Sequence, residues 1–191
     1  TIAKTNEKTK NARLKKIEDI LQIALPQLKH LAHTKDIRGI SHLEATYEHW
    51  RARGAHQQED QFSDGTLRLI GFLWSLLESD SLLLLEEPEL SLNSSIVQRI
   101  PSLVHKITKN RKRQVFMTTH SSDLLCDGGI ATAEVAMLIP DVEGTKVIVA
   151  SSLREIKSLI EDGLSMAEVV MPRTEPKGIN QLELPFSKFA V

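Results

Sequence analysis

The chain has 191 residues, 41% of them hydrophobic, with a formal net charge of -1 and a single cysteine, Cys126. That length suffices for one globular domain with a sizeable core and a small appendage, not for two full domains. The near-zero charge leaves any nucleic-acid contact to local patches, the lone cysteine excludes a disulfide framework or a Cys-rich zinc site within the chain, and no apolar run approaches the roughly 20 residues that cross a bilayer.

The opening TIAKTNEKTK has basic residues with no apolar region behind them, so the expected location is cytoplasmic. Because the first residue is Thr1 and not Met, the chain is expected to be processed or to be a piece of something longer. From Asn6 to about His33, Leu14, Ile17, Ile20, Leu21, Ala24, Leu25, Leu28 and Leu31 recur at helical spacing, which predicts an amphipathic helix broken or kinked at Pro26. In SHLEATYEHW, Leu43, Ala45, Tyr47 and His49 alternate with polar residues, the period of a half-buried strand. The polar stretch Arg51 to Gln61, with Gly54 in it, reads as a loop. Ser63 and Asp64 then suit a helix start, with Leu67, Ile70, Leu73, Trp74 and Leu77 after them on one face and Leu69, Phe72 and Leu76 over much of the rest, so this helix must be mostly buried. Its start offers unpaired N–H groups, and Gly65 permits close backbone approach there.

LLLLEEPELSL, Leu82 to Leu92, is a short apolar run ending in two adjacent carboxylates and a proline. It fits a strand of a parallel sheet buried on both faces, with Glu86 and Glu87 at the carboxyl end, where α/β sheets place their ligands. A helix interrupted near Pro101 is expected from Ser94 to Lys109. The basic residues Lys106, Lys109, Arg111, Lys112 and Arg113 at its end suit the helix dipole, and secondarily a DNA-phosphate patch. QVFMTTH predicts a second buried strand, delivering His120 to the same edge. Glu134 to Pro140 and Lys146 to Ala150 read as a β-hairpin around Asp141 and Gly144. Helices are expected from Ser152 to Glu161 and around Met166 to Met171, with a loose tail from Pro172. His30 with His33, and His42 with His49, have spacings a metal could use, but no carboxylate or cysteine completes a set.

Taken in order, FSDGT, LLLLEEPELSLN and VFMTTHSSDLL resemble three motifs of an ABC-type ATPase head: the signature, the Walker B strand with its D-loop, and the histidine switch. EEPE, with glutamate where transporters carry aspartate, resembles the RecF/OLD-like branch of DNA-linked and phage-defence ATPases. The resemblance covers roughly residues 43–150. It implies an α/β, P-loop NTPase-like head lobe with a mostly parallel sheet, flanking helices and a β-hairpin, using ATP and Mg2+. Residues 1–40 would be the helical return from an upstream insertion, 41–171 the carboxy-terminal part of the ATPase domain, and 172–191 a flexible tail. By the same resemblance Glu86 holds the magnesium ion through water, Glu87 polarises the water that attacks the γ-phosphate, and His120 contacts that phosphate or water. Ser63 and Gly65 would bind nucleotide held by a second head, and Ser91 and Asn93 would line the loop that crosses the dimer interface. Asp64 and Thr66 depart from the family's usual signature, and a carboxylate at position 64 repels phosphate.

Nowhere does G-x-x-x-x-G-K-[ST] occur, the backbone cradle and lysine that ATP binding in this class needs. The resemblance places that loop upstream, so the chain reads as the carboxy-terminal half of a head. The implied activity is ATP binding and hydrolysis at a composite dimeric site, driving conformational change in a DNA-linked or anti-phage defence system. The alternative is a non-catalytic dimerisation or docking module, favoured by the missing loop. A metal-dependent nuclease is a weaker third reading, for want of a third carboxylate on a neighbouring strand. Partners implied are a second head, DNA and no membrane. QLELPF resembles the peptide that docks bacterial replication proteins to the sliding clamp, with Gln181, Leu182, Leu184 and Phe186 as anchors.

Overall fold

The computed structural model describes residues 2–48, 55–109, 111 and 113–176. The chain divides into two compact units, Thr1–Thr119 and His120–Val191. No helix among the described residues is long and apolar enough to cross a membrane.

In the first unit α1 spans Glu7–Ala24, its start capped by Asn6, whose side chain accepts from the Lys8 N–H (3.0 Å), and it buries Leu14, Ile17 and Leu21. The helix ends before Pro26, the break expected there, but it does not resume toward His33: Leu25, next to the proline, leaves the helical region at φ -134 and ψ 79. Beyond the proline the chain runs as a strand, β1, Leu28–Lys35. Leu28 and Leu31 are both buried although residues three apart face opposite sides of a regular strand. The register shifts between Lys29 and Ala32, and His30 sits at φ 52, so a bulge turns both leucines inward. That spacing of three imitates a helix in the sequence.

β2, Ser41–Tyr47, pairs antiparallel with β1 and buries Ala45; His49 lies outside the described residues. β3, Ala55–Gln58, forms where the sequence predicts a loop, pairing antiparallel with β2 as the edge of a three-stranded sheet. The carboxylate of Glu59 then ties down the start of β2, meeting His42 Nδ1 and accepting from the Leu43 N–H, both at 2.8 Å. Burial pushes the Glu59 carboxyl up, but its own backbone N–H, His42 and the Leu43 N–H together hold it below the ordinary value.

α2, Asp64–Glu78, buries Thr66, Leu69, Ile70, Phe72, Leu73, Trp74, Leu76 and Leu77, so it is enclosed on most sides. A buried helix end needs donors for its last carbonyls. Three arginines supply them. Arg113 donates to the carbonyls of Ser75 (2.6 Å), Leu76 (3.0 Å) and Ser81 (2.6 Å), Arg111 to that of Leu77 (3.3 Å), and Arg13 to that of Glu78 (2.8 Å). Arg111 and Arg113 of the basic cluster are therefore committed to α2, and Lys112 is outside the described residues.

β4, Leu83–Glu86, pairs in parallel with β5, Val115–Thr118, in the register Leu83↔Val115 to Glu86↔Thr118. Between them run α3, Ser94–Val97, and α4, Ile100–Thr108, two helices in place of one, with Pro101 in the first turn of α4 where a missing N–H costs nothing. The pair is not buried on both faces. Leu84 and Phe116, register partners, are 69% and 60% exposed.

The second unit packs α5, Ser122–Leu125, a hairpin of β6, Ala136–Asp141, and β7, Gly144–Val149, then α6, Arg154–Glu161, and α7, Met166–Thr174. Its core is Leu125, Met137, Ala150, Ile156, Met166, Ala167, Val169 and Val170. α7 continues through Pro172, where the sequence predicts the tail to begin. Its start is a capping box, Ser165 Oγ accepting from the Glu168 N–H and the Glu168 carboxylate from the Ser165 N–H.

The buried polar groups of the first unit make two outcomes testable. Arg113→Ala strands buried carbonyls at the end of α2 and should cost about 2–3 kcal/mol, read from urea unfolding. Lys10, 1% exposed, donates to His33 Nδ1 (3.2 Å), which leaves the neutral ring's proton on Nε2, a buried atom without a partner among the described residues. Burial first, then the Lys10 and Lys35 charges against the opposing pull of Glu7, depresses His33 below its ordinary 6.5. Its unfolded state binds the proton more readily, so this contribution is whole above pH 6.5 and is lost as pH falls from there through the depressed folded value. In His33→Gln the slope of stability against pH over that window should flatten.

Candidate functional site at the tips of two parallel strands

Four residues of ladder bring Glu86 opposite Thr118 at the carboxyl ends of β4 and β5, where Glu86 is exposed. Beyond it the chain turns sharply. The Glu87 N–H is held by the Thr118 carbonyl (3.1 Å), and Glu87 takes φ 41. After Pro88, which has no N–H to lose, the Leu90 N–H reaches the Glu87 carbonyl (3.2 Å) and the Leu92 N–H the Glu89 carbonyl (3.0 Å), with Ser91 at φ 63. Left-handed backbone at two side-chain-bearing residues costs about 1 kcal/mol each, so the surroundings must enforce it.

Two contacts do so. The start of α2 lies against the turn: a Cβ built on Gly65 would fall 2.5 Å from the Ser91 carbonyl oxygen and 3.8 Å from Leu92 Cδ2. From the other side, the buried carboxylate of Glu89 accepts from the Thr119 hydroxyl just beyond β5.

The structure thus brings Gly65 against Ser91 and Glu86 against Thr118. Ser63 caps α2, its Oγ accepting from the Thr66 N–H (3.2 Å) and bonded to Thr66 Oγ1 (2.9 Å), so the departure at Thr66 serves the cap, while Asp64 is exposed in the first turn. Asn93 caps α3 by accepting from the Ser95 N–H (2.9 Å). His120 is exposed and opens the second unit, two residues past β5. Gln181, Leu182, Leu184 and Phe186 lie outside the described residues. Among those described, no group of three or more His, Cys, Asp and Glu is arranged to hold a metal by itself. Glu86 remains a hard oxygen donor at an exposed tip, suited to Mg2+, which keeps most of its waters and needs only one or two carboxylates. Sequence reasoning missed Glu89, whose partner Thr119 lies thirty residues further on and leaves no local signal.

A parallel β4–β5 pair with helices between, carboxylates at its carboxyl tip and a helix N-terminus against the exit turn define an ABC-type, P-loop-like ATPase fold. Residues 4–127 match the family described as "AAA domain, putative AbiEii toxin, Type IV TA system", and the chain belongs to that family. It is 31% identical over 120 residues to the ABC-type organic anion transporter ABCA8B of Mus musculus, an alignment covering 58% of this chain and 7% of that protein. The chain thus spans a small fraction of that relative's length. A solved structure from work on the structural biochemistry of ATP-driven dimerization and DNA stimulated activation of SMC ATPases shares the fold, with a TM-score of 0.55 at 16% identity, over 80% of this chain and 91% of that one. The first of these is an ABC-type transporter, and the second belongs to the SMC ATPases.

The close approach at Gly65 predicts opposite outcomes for two glycines of one helix. Gly65→Ala should destabilise by about 2 kcal/mol as the turn is pushed away. Gly71→Ala, whose Cβ would meet nothing within 4 Å, should stabilise by about 0.5–1 kcal/mol from helix propensity; paired thermal melts decide it.

Proposed function

We propose that this chain contributes to ATP binding and hydrolysis at a composite site shared by two heads, in the manner of the RecF/OLD-like branch. The observation that carries the reading is the packing of the α2 start on the turn that leaves β4, because it joins the signature-like segment to the tip bearing Glu86 and Glu87. In this proposal Glu86 holds Mg2+ through its water shell, and Glu87 orients and polarises the attacking water. Phosphoryl transfer asks for little else than position and charge stabilisation. His120 acts on the γ-phosphate or that water. Ser63 and Gly65 present the helix start to nucleotide held by the partner head, and Ser91 and Asn93 face the same interface.

The phosphate cradle does not occur in these 191 residues, and we assign it to another segment of polypeptide. The exposed Leu84 and Phe116 support this, since parallel strands are normally covered on both faces. The family description, which names a toxin of a type IV toxin–antitoxin system, and the DNA-stimulated SMC ATPases support a DNA-linked or anti-phage role. The missing cradle favours a second reading, a docking or dimerisation module without turnover.

Glu87→Gln separates the two. In the native protein it should lower ATP turnover at least about 100-fold while ATP-dependent dimerisation persists. Normal turnover in the variant would remove Glu87 from the role of base, and a wild-type protein that dimerises without hydrolysis would establish the docking reading.

A further inference from the structure

Glu89 is 8% exposed, and it lies two residues from the carboxylate assigned to the chemistry. One of its oxygens accepts from Thr119 Oγ1, while Oε2 is buried without a hydrogen-bond partner among the described residues. A carboxylate so placed is a poor choice for stability alone, because a buried charge needs its lone pairs satisfied. Its position has a consequence that an apolar residue would lack. Glu89 belongs to the turn after β4 and Thr119 to the chain after β5, so the bond ties the two tips together beyond the last rung of the ladder, Glu86↔Thr118. Within the loop thus closed sits Glu87, left-handed at φ 41 and anchored by its N–H to the Thr118 carbonyl. The Glu89 carbonyl also receives the Leu92 N–H, which shapes the turn around Ser91.

We infer that Glu89 is a positioning residue. Through Thr119 it locks the strained turn that aims Glu87, and it does not itself touch nucleotide. The inference rests on the ATPase reading for its kinetic consequence, whereas its structural consequence is independent of that reading.

The test combines amide hydrogen exchange with kinetics on the native protein. Glu89→Ala and Thr119→Val should each speed exchange at the Glu87, Leu90 and Leu92 amides by at least about tenfold, with the α2 amides unchanged. The double variant should exceed neither single one, because both remove one bond. Glu89→Gln keeps the acceptor and the volume and should protect those amides better than Glu89→Ala. Thr119→Ser keeps the hydroxyl and should recover the rate lost in Thr119→Val. In turnover, kcat should fall at least about tenfold with KM for ATP unchanged, the pattern of a misaimed group rather than a damaged binding surface. Unchanged exchange at Glu87 in Glu89→Ala, or additive effects of the two single changes, would overturn the inference. So would a loss confined to KM. If the wild-type protein turns over no ATP, the functional reading fails, and exchange at Glu87, Leu90 and Leu92 alone decides whether Glu89 holds the turn.

Discussion

The site depends on one backbone approaching another. The start of α2 lies so near the Ser91 carbonyl that no side chain fits between them, and position 65 must be glycine for steric reasons before any ligand is considered. This contact fixes the exit turn of β4 against a helix N-terminus. The helix start offers N–H groups and positive potential, and the strand tip offers carboxylates.

For α2 to serve as that fixed reference, both of its ends must be satisfied inside the first unit. At one end the Ser63 hydroxyl closes the first turn through Thr66. At the other, Arg13, Arg111 and Arg113 take up the last carbonyls, and Arg13 also lies over the Trp74 ring at 5.3 Å. The basic cluster after α4 is thus an anchor as well as charge. It joins the chain just ahead of β5 to the helix whose start meets the turn after β4, so both parallel strands are referenced to α2.

How far each element is legible in the sequence depends on where its determinant lies. Local chemistry reads directly: the Ser63 cap, the apolar run ending in Glu86 and Glu87, and the turn between β6 and β7 are each specified by neighbouring residues. β1 reads as helix because a bulge at His30 lets Leu28 and Leu31 share a face, which copies the helical period. β3 carries no pattern at all. Its four residues, AHQQ, are a strand because β2 offers an edge, a fact of tertiary pairing. Glu89 is invisible as a functional group for the same reason, since its partner is thirty residues away, just past the next strand. The exposure of Leu84 and Phe116 has no signature either, because an apolar run looks the same whether its outer face is covered by this chain or by something else.

Two features of the first unit bear on one question. The β4–β5 pair leaves apolar side chains open on one face, and the motif set at its tip lacks the loop that cradles phosphates. Either feature alone admits a local explanation, an exposed Leu or a degenerate site. Together they are coupled by geometry: in doubly wound sheets the phosphate loop comes directly after a strand of the same sheet, so a segment that supplied the cradle would also extend the parallel ladder and bring a layer to cover its open face. In the proposed ATPase reading, the left-handed turn at Glu87, braced by a buried carboxylate, has a use that the docking reading does not give it. The strain at that position, maintained by Glu89 and Thr119, weighs on the side of chemistry.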